Sequence, residues 1–75
     1  MGTLKHYLND LICQAAPEDA EGQDAIAWAI TTGMVKPGCE SLRADVKLIR
    51  ENHTEIMVAY FDQVAHEESE LAYAN

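Results

Sequence analysis

The side chains best suited to metal or acid–base chemistry in this 75-residue chain are three histidines, two cysteines and thirteen carboxylates. Asp62, His66 and Glu70 fall at i, i+4 and i+8, one face of a helix. Imidazole with carboxylates suits a transition ion. Eight helical residues rise about 12 Å, however, so the outer two cannot close on one ion. His6 and Asp10 repeat the i, i+4 relation. A nucleophile needs a base within hydrogen-bond reach. Cys13 lies seven residues from His6, about 10 Å along a helix, and Cys39 has no histidine beside it in sequence. The segment GMVKPGCES lacks the order of a phosphate loop, and Pro37 removes an amide that a phosphate would use. These patterns predict no catalytic residue, no metal site and no cofactor. The chain does not read as an enzyme.

Charge is the stronger signal. The formal net charge is −8, which sets nucleic acid and anionic membrane against the chain as default partners. Glu18, Asp19, Glu21 and Asp24 form one acidic cluster, and Glu67, Glu68 and Glu70 form another. Such surfaces steer a basic partner, while a few apolar anchors hold it. Trp28, the only tryptophan, and Tyr73 are the anchors to nominate. Four of the five cations, Lys36, Arg43, Lys47 and Arg50, are concentrated in one short stretch. They support an alternative reading, a helix–turn–helix-like regulator that places this stripe in a DNA groove.

Helices must carry these groups. Leu4, Tyr7, Leu8, Leu11, Ile12 and Ala15 keep the spacing of one helical face, which predicts a helix over Thr3–Ala16 with His6, Asp10 and Cys13 on the wet side. Thr3 can cap it and Pro17 stops it. A second helix is predicted over Glu18–Thr32, with carboxylates at its positive end and Gly33 as C-cap. Ile26 and Ile30 share a face there, while Trp28 points away. That helix is either buried on two sides or leaves its tryptophan for a partner.

Leu42, Val46 and Ile49 give the third piece, Cys39–Asn52, a buried stripe, with Arg43, Lys47 and Arg50 beside it. The fourth piece, Thr54–Ala72, packs through Ile56, Met57, Tyr60, Phe61 and Val64. Residues from about 67 onward project beyond the core. No Gly or Pro separates the last two pieces. A break near Asn52–Thr54 is favoured over one long helix.

The expected fold is a single all-α domain, a compact bundle of three or four helices. A chain this short buries only about 60–65% of its unfolded surface, so a second subunit is the economical way to enlarge the core. A homodimer is therefore expected. No apolar run approaches the roughly 18 residues of a membrane span, and the start lacks a signal-peptide core. The expectation from both is a cytoplasmic chain with reduced thiols. The expected function is a small acidic module that regulates or inhibits another protein, one with a basic or nucleic-acid-handling surface.

Overall fold

The computed structural model describes the backbone of residues 4–74 and the side chains of residues 5–67. Four helices follow in order: α1 (Leu4–Ala15), α2 (Ala20–Thr32), α3 (Leu42–Glu51) and α4 (His53–Ala74). No strand occurs among the described residues. The fold is the small all-α bundle that the periodicities predict.

In α1 the apolar stripe turns inward as expected. Leu11 is fully buried, Leu8 and Ile12 pack beside it, and His6, Asp10 and Cys13 stay exposed. Thr3, the expected cap, lies outside the described residues. The start of α2 falls two residues later than its carboxylates suggest. Glu18 is left-handed at φ 57°, and Asp19 caps the helix, its side chain accepting from the Gly22 N–H at 3.0 Å. A Cβ at Gly22 would stand 2.4 Å from Asp19 Oδ2, so a side chain there would push the capping carboxylate aside. Gly33 ends α2 at φ 80°, its N–H donating to the Ile30 carbonyl.

Helix α3 starts at Leu42 rather than Cys39. Ser41 caps it, accepting from the Ala44 N–H at 3.3 Å, while Cys39 takes a left-handed φ of 63°. The break before α4 falls at Asn52, with φ −102° and ψ 9°. Its side-chain amide donates to the Leu48 carbonyl at 2.8 Å, and such local bonding competes with the helical ladder.

The core joins Leu11, Ala15 and Ala16 to Ala25, Ile26 and Ala29, with Val35 from the α2–α3 connection, Ile49 and Ile56 closing it. Small residues on α1 and α2 allow a close approach of the backbones. Helix α3 lies along α1 in the same direction, since Tyr7 meets Asp45 while Arg50 reaches the Gln14 carbonyl at 3.3 Å. Helix α2 packs on both α1 and α4. Helix α2 is thus buried on two sides, while Trp28 stays only half-buried. The molecule measures 45 × 27 × 23 Å. Its long axis suits α4, whose 22 residues rise about 33 Å.

Candidate functional site

Asp45 is the one buried charged residue among those described, at 5% exposure. It sits in the α3 stripe, three residues after Leu42 and four before Ile49. Its Oδ1 accepts from the Gly38 N–H at 3.0 Å and its Oδ2 from the Cys39 N–H at 3.0 Å. The Tyr7 hydroxyl donates to the same Oδ2. One carboxylate thus ties α1, α3 and the 33–41 connection together. The Tyr7 hydrogen bond holds the Asp45 carboxyl below its ordinary range, against the opposing effect of burial and with help from the Cys39 and Gly38 amides. Tyr7 is pushed up to about 12, first by that hydrogen bond, then by burial and the negative charge of Asp45. These groups satisfy one another across three segments, which makes the cluster a structural joint. Sequence reasoning missed it. The signal was a charge standing on a core stripe.

The acidic edge of α2 is on the surface. Glu18, Asp19, Glu21 and Asp24 are all exposed, although the Asp19 carboxylate serves as the cap. Glu21, Asp24 and Trp28 stand at i, i+3 and i+7, one line along the helix. Trp28 is half-buried and meets Tyr60 of α4 edge-on, with ring centroids 5.8 Å apart at 61°. Of the second acidic cluster, Glu67 is exposed. The side chains of Glu68, Glu70 and Tyr73 lie outside the described residues. Among the described residues, Val64 is the last that is not exposed, while Phe61, assigned to the packed stripe, is 45% exposed. Tyr60 and Phe61 are neighbours in sequence and so stand about 100° apart on the wheel. Only Tyr60 faces α2.

Lys36, Arg43, Lys47 and Arg50 are exposed. Arg50 donates to the Gln14 carbonyl, and no carboxylate of the described residues pairs with the other three. A pocket of about 830 Å³ also opens between α1 and α2, lined by Leu8, Ile12 and Ala27 with Lys5 and Asn9 at its edge. Cys13 and Cys39 are exposed free thiols. No group of three or more metal-ligating side chains converges among the described residues. No described helix is long and apolar enough to cross a membrane.

These surfaces can attract, dock and bury. No family model matches the chain, nor does any curated protein or solved structure, so its functional reading rests on the chemistry of these surfaces.

Proposed function

We propose that this chain is a small acidic protein-binding module that regulates or inhibits another protein, one with a basic or nucleic-acid-handling surface. The observation that carries this is the line Glu21, Asp24, Trp28 on α2, where two exposed carboxylates lead to a half-buried tryptophan. Carboxylates steer a basic partner on approach. An amphipathic aromatic ring supplies the short-range hold. Glu18 and Asp19 extend the acidic edge, and Glu67, Glu68, Glu70 and Tyr73 add a second one on α4. A cytoplasmic homodimer belongs to the same reading.

The test is capture from an extract of the native cell on the immobilised chain, followed by binding kinetics with the retained protein. Glu21→Gln with Asp24→Asn should slow association and flatten its salt dependence. Trp28→Ala should shorten the lifetime of the complex. Equal kinetics for all three chains would reject the α2 edge as the binding site.

The exposed Arg43, Lys47 and Arg50 favour a second reading, a DNA-binding regulator with α3 as its reading helix. The nine-residue connection 33–41 before α3 is longer than the three- or four-residue turn of that motif. Glu51 and Glu55 follow close behind the stripe and oppose a phosphate backbone. Duplex DNA binding that weakens steeply with salt and disappears on removing the three cations would select this reading instead.

A further inference from the structure

Residues 34–40, between the Gly33 cap of α2 and the Ser41 cap of α3, form a strap across the fold. Val35 is its one buried side chain and Pro37 is half-buried, while Met34, Lys36, Gly38, Cys39 and Glu40 are exposed. Three of its amides reach the rest of the described fold. The Val35 N–H donates to the Ala29 carbonyl at 3.3 Å, and the Gly38 and Cys39 N–H groups donate to the Asp45 carboxylate, each at 3.0 Å. The strap is thus pinned at two places, by one apolar side chain and by one carboxylate.

Its surroundings favour release at both pins together. A cleft of about 220 Å³ runs between Leu8 and Ile30 on one side and Val35, Pro37 and Cys39 on the other, so the underside of the strap is incompletely packed. Cys39 holds φ at 63°, a conformation that residues with a Cβ rarely adopt, and leaving Asp45 relieves that strain. Gly33 at φ 80° supplies a hinge at the other end. Pro37, between the pins, fixes its own φ and restricts Lys36 before it, so a displacement at Gly38 carries through to Val35. The flanking helices do not depend on the strap for their ends. The Gly33 N–H closes α2 on the Ile30 carbonyl, and Ser41 caps α3 through the Ala44 N–H.

We infer that the strap opens and closes as one unit while the four helices stay packed, with the Asp45 carboxylate as its latch and Val35 as the plug that the latch seats. Opening withdraws Val35 from the core and uncovers Leu8 and Ile30. Tyr7 sets the latch from α1, because its hydroxyl shares Oδ2 with the Cys39 amide and holds the carboxylate where both strap amides reach it. The strap carries none of Glu21, Asp24 and Trp28, so its motion stands apart from the proposed partner contact.

Native-state hydrogen exchange of the whole chain, followed by NMR, reads this motion amide by amide. The Val35, Gly38 and Cys39 amides should share one opening constant, at least about tenfold larger than that of the Ile26 and Ile49 amides within the helices, and nearly independent of low concentrations of urea. Asp45→Asn should raise all three by a common factor of at least about tenfold, although the Val35 N–H donates to Ala29 and not to Asp45. Tyr7→Phe keeps both amide acceptors in place and should raise the three by a smaller common factor. Val35→Ala should in turn speed the Gly38 and Cys39 amides. Equal opening constants for strap and helix amides would overturn the inference, because the strap would then open only with the whole fold. A Val35 amide unchanged in Asp45→Asn and in Tyr7→Phe would overturn it as well, because the two pins would then release separately.

Discussion

Helices α3 and α4 are consecutive, separated only by Asn52, yet they solve opposite problems. The inner face of α3 buries a carboxylate, and the chain supplies its donors from α1 and from the connection ahead of it. Its outer face is basic and exposed, with Arg50 donating to the Gln14 carbonyl. The inner face of α4 is apolar, and its outer face carries Val58 and Phe61 into solvent. One helix is completed by its own chain; the other keeps apolar surface that its own chain does not cover. In a domain this small every stripe of apolar surface bears on stability, so α4 is where an external surface would contribute most.

The difference is sharpest two residues apart on α4. Ile56 is fully buried between the helices. Ile56→Ala should cost about 3 kcal/mol, from lost transfer energy plus the cavity left behind. Against the small total stability of a short domain, that should populate the unfolded state visibly near physiological temperature. Urea titration followed by circular dichroism measures it. A cost under about 1 kcal/mol would mean that α4 closes the core far less tightly than its burial indicates.

Asp45→Ala tests the α3 side of the comparison. It leaves the Tyr7 hydroxyl and the amides of Gly38 and Cys39 without their acceptor. The expected loss is about 2–3 kcal/mol, since water reaches the exposed connection and satisfies part of the deficit. The denaturant midpoint should fall with little change in slope.

Much of this architecture was legible beforehand. The α1 stripe, the Gly33 cap and the break after α3 follow from period and turn chemistry, each a local property. Asp45 was not, because its acceptor role depends on Tyr7, 38 residues away, and periodicity carries no information on partners. Its position between Leu42 and Ile49 was the only hint. The early start given to α3 fails for a related reason. Cys39 is held left-handed while its amide serves Asp45, a tertiary demand that outweighs propensity. Phe61 was misplaced because an aromatic beside Tyr60 resembles core until the wheel angle is enforced. Among the candidate site residues, the exposure of Glu21, Asp24 and the basic stripe was readable from charge. The edge-on contact of Trp28 with Tyr60 was not, because it requires knowing that α4 covers α2.

Titration should trim the α3 joint at both ends of the pH scale. Asp45 has a folded-state pKa below its unfolded value, so its contribution is complete above about pH 4 and is lost as pH falls through the lowered folded value. Tyr7 is raised to about 12. Its contribution is complete below about pH 10 and is lost as pH climbs from there through the folded value. Asp45→Asn should flatten the acid limb of the stability profile, and Tyr7→Phe the alkaline limb. An alkaline limb unchanged in Tyr7→Phe would remove that hydroxyl from the joint.

The smallest effect on folding belongs to the outer face of α4. Val58→Thr keeps the shape and the β-branch while replacing one methyl with a hydroxyl. Val58 is 65% exposed, so the monomer should change by no more than about 0.5 kcal/mol. Two residues from Ile56, the same helix should thus tolerate a polar group almost silently at high dilution. At high concentration the outcome separates. If α4 pairs with its copy, the unaltered chain melts higher as concentration rises, and Val58→Thr should reduce that rise while leaving the dilute melting temperature in place. A variant that melts lower at every concentration by the same interval would put Val58 in the fold rather than in a seam. The distinction between the two faces of α4 would then be one of degree.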